Sequence, residues 1–166
     1  MNDLTVKLNW NGWSRFTGVN AGGIETAIDA DTQSGASPAE LLLEALGACA
    51  SVVVISILEE TRTPAAKLEV TLEADRYRTE PSYLTGVRML FDVWGDEITP
   101  DNMVRAITLS ISKYCGIYHS LRDDLRVRPQ FRIHATGAEA SGDYQVVEMA
   151  PPTTELDLSS VFRKAA

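Results

Sequence analysis

Apolar and polar residues alternate with a period of two at the start of the chain. Leu4, Val6, Leu8 and Trp10 interleave with Thr5, Lys7 and Asn9, the pattern of a strand with one buried face. Asn11-Gly12 supplies hairpin turn chemistry, a second strand is expected near Ser14 to Val19, and Ile24, Thr26 and Ile28 mark a third. The period then lengthens. Ser37-Pro38-Ala39-Glu40 carries a helix start in full, with serine at the N-cap, proline at the first helical position and glutamate placed for a capping box. This helix is expected to run to about Glu60. Alternation returns at Leu68, Val70, Leu72 and Ala74, and again at Val87, Met89, Phe91 and Val93 beyond the Glu80-Pro81 turn. Thr99-Pro100-Asp101 opens a second helix, along which Val104, Ile107, Ile111, Cys115 and Tyr118 recur at helical spacing, with Gly116 placed to end it. Phe131, Ile133 and Ala135 give a further strand, and Asp143 to Glu148 a candidate last one.

The order βββ-α-ββ-α-β predicts an α+β fold in which two core helices are wrapped by antiparallel sheet. Residues 1–150 are expected to form a single domain. From Pro151 the chain reads as a C-terminal tail or arm, 151–166, with Leu156, Leu158, Val161 and Phe162 to anchor it. The stretch Leu41 to Leu58 is apolar enough to raise the question of a membrane span. Glu44 lies inside it, however, and Glu59 and Glu60 close it, so a buried helix and no membrane association are expected.

Composition narrows the function. With 166 residues, 45% of them apolar, the chain can bury a core. Its 23 acids against 15 bases give a net charge of −8, which repels phosphate backbones, and no Lys/Arg block appears, so nucleic acid is not an expected partner. The opening MNDLTVKLNW has no basic region followed by an apolar one, and a cytoplasmic location is expected. The two cysteines, Cys49 and Cys115, stand 66 residues apart, each in a helix-like apolar run. Neither belongs to a CxxC or Cys/His spacing, and His119 and His134 are the only histidines, so no metal site is expected. A cysteine in such a run is ordinarily a small hydrophobe. Any chemistry is nonetheless expected at this pair.

Two segments carry a more specific signal: Ser37-Pro38 leading through Glu40-Leu41-Leu42 to Leu46-Gly47-Ala48-Cys49, and Leu109-Ser110 followed by Lys113-Tyr114-Cys115. Together they resemble the family of OsmC (osmotically inducible protein C) and Ohr (organic hydroperoxide resistance protein), over roughly Leu4 to Ala135. The pattern is nearest to the general OsmC-like branch, since the helix of Ohr proper usually begins Asn-Pro-Glu. The resemblance implies an intertwined homodimer with its active sites at the interface. It also implies a thiol peroxidase without a cofactor that reduces organic hydroperoxides. In that reading Cys49 is the peroxidatic nucleophile, Cys115 the resolving partner, and a dithiol, such as a lipoyl group, the reductant.

Such chemistry needs a thiolate. Cys49 lies about a dozen residues from its helix start, beyond the reach of the helix dipole. The residues on its face of an ideal helix, Leu42, Ala45, Leu46, Val52 and Val53, oppose ionisation. A cation is therefore expected from elsewhere. The family resemblance implies an arginine from the N-terminal sheet, held by a glutamate near the start of the first helix. Arg15, the only arginine before residue 62, is the candidate, with a solvated hairpin residue as the alternative reading. For the glutamate the candidate is Glu40, one position later than in Ohr and about 180° from Cys49 on the helix, so capping explains it better. Tyr114, Tyr118 and His119 are candidates to line a pocket, against a plain packing role at a helix end. Trp10 and Trp94 read as core or interface. The apolar surroundings of Cys49 favour alkyl or lipid-derived hydroperoxides over hydrogen peroxide, which has no apolar surface to bury. Two other classes stay open: a non-enzymatic protein of the same fold binding a small hydrophobic ligand, and an assembly role with the tail exchanged onto a neighbour.

Overall fold

The structure is a computed structural model that describes residues 4–149. The expected tail, 151–166, lies outside the described residues. By internal contacts the chain divides into two compact units, Met1–Ala45 and Leu46–Ala166.

The first unit is a three-stranded antiparallel sheet in the order β1 (Val6–Trp10), β2 (Arg15–Asn20), β3 (Glu25–Asp29). Gly12 and Trp13 both take positive φ, 94° and 54°, where the β1–β2 connection reverses the chain. The sheet ends on Asp29. Its carboxylate accepts hydrogen bonds from the hydroxyls of Ser14 and Ser34 and from the backbone of Asp31 and Ser34. Led by the Ser34 hydroxyl, these bonds hold its pKa down at about 2. The alternation in β1 is real, but its apolar residues are not covered: Val6 is 66% exposed, Leu8 59% and Trp10 69%. The buried face expected for this strand is open in the single chain.

Helix α1 (Pro38–Glu60) begins at the expected capping box, in which the Ser37 N–H donates to Glu40 Oε2 at 2.7 Å and the Glu40 N–H to Ser37 Oγ at 3.3 Å. At its other end Arg62 takes a left-handed φ of 60° and the Thr63 N–H reaches back to the Leu58 carbonyl, a Schellman-like stop without a glycine. Within the second unit one stripe of the helix is buried: Leu46, Gly47, Ala50, Val54, Ile57 and Leu58. Val52, off this stripe, is 64% exposed, so the helix is buried along one face rather than all round as its composition suggests. Length and composition alone would let α1 cross a membrane; its buried stripe serves the core of this unit instead.

The second unit is a four-stranded sheet, β4 (Lys67–Arg76), β5 (Leu84–Trp94), β6 (Arg126–His134) and β7 (Gln145–Val146), in that spatial order. One face carries the buried Val87, Met89, Phe91, Val93 and Phe131. The fold is α+β as expected, with one refinement of topology. β5 and β6 are parallel, in continuous register from Gly86↔Arg126 to Trp94↔His134, while β4–β5 and β6–β7 are antiparallel. A parallel pair needs a crossover, and the second helical segment supplies it.

That segment departs from expectation at its end. Helix α2 (Pro100–Leu109) starts at Thr99, whose side chain and Asn102 complete a capping box, and buries Met103, Ala106 and Ile107. It then widens into a single π-helical turn, Ser110–Tyr114, and breaks at Cys115, whose backbone is extended (φ −75°, ψ 93°). Gly116 does not end the helix; it opens a short one, α3 (Gly116–His119), for which Cys115 is the N-cap. The apolar periodicity runs through this break because Ile111 and Cys115 are both buried on either side of it.

Candidate functional site

The two cysteines meet within the second unit. Cys49 lies on α1, one residue before the buried Ala50, and is half-buried; Cys115 is fully buried at the break after the π turn; both are free thiols. Burial, and after it the neighbouring Cys49 side chain, pushes the Cys115 pKa up to about 11. The Tyr118 backbone N–H donates to Cys115 Sγ at 3.4 Å and fixes that sulfur at the N-terminus of α3. One thiol is thus partly accessible and its neighbour is buried. A solvent-borne reactant meets Cys49 before Cys115.

A further bond binds the two helices at this point. Ser110 Oγ donates to the Ala50 carbonyl at 2.8 Å, and both residues are fully buried. On these elements Leu46, three residues before Cys49, and Ile111, four residues before Cys115, are apolar and buried.

Glu40 is exposed and engaged in the capping box, and the Ser37 N–H, its main partner, lowers its pKa. Arg15 opens β2 opposite Asp29; its side chain is exposed and forms no ion pair among the described residues. It belongs to the first unit. Tyr114 ends the π turn next to Cys115, 41% exposed, with the Lys113 ammonium 5.4 Å from its ring centroid. Tyr118 and His119 pack edge to face at 5.4 Å. Trp94 is buried and donates to the Ala138 carbonyl at 2.7 Å, whereas Trp10 is exposed. No cluster of potential metal ligands occurs among the described residues.

One polar network went unread in the sequence. Asp92 on β5 is buried and accepts from Arg132 Nε at 2.8 Å, from its Nη2 at 3.1 Å and from the Tyr144 hydroxyl, and it shares a 2.7 Å bond with His134 Nε2. Burial works to raise its pKa, but these bonds and the Arg132 charge overcome it and bring the value down to about 2. Arg132 also donates to the Gly142 carbonyl, and the network holds the segment between β6 and β7 to the sheet. The signal was available: a single aspartate in the apolar run Met89–Trp94 of β5. An open polar cavity of about 350 Å³ lies elsewhere on this unit, against Asp75, Tyr83, Arg126 and Arg128, and shares no lining residue with the cysteine pair.

Comparison with known proteins gives the same architecture. Protein YhfA of Escherichia coli K12 is 28% identical over 133 residues, covering 80% of this chain and 99% of that protein. An OsmC-like protein of Mycoplasma pneumoniae superposes with a TM-score of 0.70 at 16% identity, over 80% of this chain and 97% of the other. The organic hydroperoxide resistance protein OhrB of Bacillus subtilis superposes at 0.58 with 14% identity, over 77% and 98%. At these identities the structural matches establish the fold alone. The OsmC-like protein family matches residues 31–130, a stretch that holds α1, β4, β5, α2 and both cysteines, and the chain belongs to that family.

Proposed function

We propose that this protein is a two-cysteine thiol peroxidase acting on organic hydroperoxides. The observation that carries the reading is the juxtaposition of a half-buried Cys49 with a fully buried Cys115, close enough that the Cys49 side chain adds to burial in raising the Cys115 pKa. In the first step the Cys49 thiolate attacks the terminal peroxide oxygen of ROOH. The O–O bond breaks, the alkoxide takes a proton and leaves as ROH, and Cys49 is left as a sulfenic acid. In the second step Cys115 attacks the Cys49 sulfur, and water leaves as the disulfide forms. An external dithiol then restores both thiols by exchange and is itself oxidised. A lipoyl-type dithiol suits this step, and a reducing compartment such as the cytoplasm suits the cycle.

Glu40 supports α1 by capping rather than by holding a cation. Arg15 remains the arginine we assign to thiolate activation, and Tyr114, half exposed beside Cys115, is a candidate wall of the substrate entrance. We further propose that the working form is a homodimer. The open apolar face of β1, with Val6, Leu8 and Trp10, and the exposed Val52 of α1 are the surfaces a second copy would cover.

The test is steady-state turnover with a dithiol such as dihydrolipoamide, comparing cumene hydroperoxide with hydrogen peroxide. Turnover that prefers the organic substrate and vanishes in Cys49→Ser supports the assignment. Protein that consumes neither peroxide overturns it and favours ligand binding in the same apolar surroundings.

A further inference from the structure

We propose that Ser110 is the positioning residue that sets the resolving step, by tying the backbone beside Cys49 to the backbone of Cys115. The inference rests on the two-cysteine reading of the site. Ser110 is fully buried and acts in two directions. Its hydroxyl donates to the carbonyl of Ala50, the residue next to Cys49, at 2.8 Å. Its own carbonyl accepts the N–H of Cys115 at 2.8 Å, the i→i+5 bond that closes the π turn. One residue thus holds both arms of the thiol pair.

Other helical serines of this chain behave differently. Ser51, Ser56, Ser112 and Ser120 each donate to the carbonyl four residues earlier in their own helix. Ser110 instead reaches across to α1, 60 residues away in sequence. The buried hydroxyl of Ser110 is thus satisfied by a tertiary bond and not by a local one.

The π turn explains why the tie must be at this residue. In an uninterrupted α-helix, five residues rotate by about 500°, which would put Cys115 about 140° around the axis from Ser110. At about 4.4 residues per turn the same five residues rotate by about 410°, leaving Cys115 about 50° from Ser110 and so on the side that faces α1. The extra residue of the π turn brings the second sulfur round to the first. The Ser110–Ala50 bond holds the start of that turn in register with Cys49.

The step this geometry serves is the condensation of the Cys115 thiol with the Cys49 sulfenic acid, in which an S–S bond forms, the S–O bond breaks and water leaves. Ser110 contributes no proton or electron to it. Removing the hydroxyl should therefore slow disulfide closure while leaving the first oxidation of Cys49 alone.

The experiment uses the full chain as wild type, Ser110→Ala, and Ser112→Ala as the control for an exposed, purely local serine bond. Three quantities are read: the rate at which cumene hydroperoxide generates dimedone-reactive Cys49, the rate at which that reactivity is lost as the disulfide closes, and the equilibrium of the Cys49–Cys115 disulfide against dithiothreitol, set up with diamide. Ser110→Ala is expected to retain the first rate within about twofold and to lose tenfold or more in disulfide stability, with sulfinic acid accumulating at Cys49. Ser112→Ala should match wild type in all three. An unchanged disulfide equilibrium and closing rate in Ser110→Ala overturns the proposal. Failure of the wild-type protein to react with hydroperoxide overturns the peroxidase reading instead, and the diamide equilibrium still decides the role of Ser110. Should Ser110→Ala not fold, hydrogen exchange of the wild-type Cys115 amide decides. Strong protection in the reduced protein supports the tie, and exchange at the rate of an open loop contradicts it.

Discussion

Asp92 and Arg132 stand directly opposite each other across the parallel β5–β6 register and close a two-point ion pair, at 2.8 and 3.1 Å, on the face of the sheet away from its apolar core. His134 and Tyr144 share the same carboxylate. The arrangement anchors the segment after β6, and it should control stability rather than chemistry. Asp92→Ala leaves a guanidinium without its partner in a largely buried setting, and a loss of about 3 kcal/mol is expected. Urea denaturation should show a lower midpoint with an unchanged slope.

The same carboxylate gives a pH dependence. Its pKa falls from 3.8 to about 2 on folding, so its contribution is complete above pH 3.8 and is lost as the pH falls through 2. Asp29 in the first unit has a folded value of about 2 as well and acts with the same sign. Acid unfolding followed by far-UV circular dichroism should therefore begin below about pH 4, and Asp92→Asn should flatten the dependence.

Two glycines separate a backbone constraint from a side-chain one. A Cβ on Gly35 would stand 2.6 Å from the Ala27 carbonyl oxygen and 2.9 Å from the Ile28 nitrogen, against backbone that cannot yield without opening β3. Gly35→Ala should cost about 2 kcal/mol. A Cβ on Gly47 would meet only the tip of the Leu72 side chain at 2.6 Å, which can rotate away, and alanine improves helix propensity by about 1 kcal/mol. Gly47→Ala should be near neutral, and thermal melts of the two variants should differ accordingly.

The uncovered face of β1 predicts association. Light scattering should give twice the chain mass, and Leu8→Lys, at an exposed position in the single chain, should shift the protein toward monomer with its circular dichroism unchanged. A monomeric wild type would remove the dimer from the account.

Much of the architecture was legible because local chemistry and tertiary structure agree. Ser37, Pro38 and Glu40 specify where α1 starts, Thr99 and Pro100 where α2 starts, and the period of two in β4 and β5 survives folding. The break at Cys115 was hidden, since the apolar spacing of Ile107, Ile111 and Cys115 reads the same in a straight helix as in one widened by a π turn. The parallel pairing of β5 with β6 was hidden too, because alternation reports which face is buried and not the direction of the neighbour. Family resemblance pointed to the cysteines and took in Ser110 as part of its second segment, but gave Ser110 no role, because its bond to Ala50 exists only in three dimensions.

The central claim is that Cys49 and Cys115 act as one redox pair, and covalent mapping addresses it most directly. Reduced protein is treated with one equivalent of cumene hydroperoxide, blocked with an alkylating agent and digested without reductant for mass spectrometry. The account predicts a peptide pair joined through Cys49 and Cys115 and two hydrogens lighter than the separate thiol peptides. Recovery of both cysteines fully alkylated, or of Cys49 over-oxidised with Cys115 still free, would contradict it.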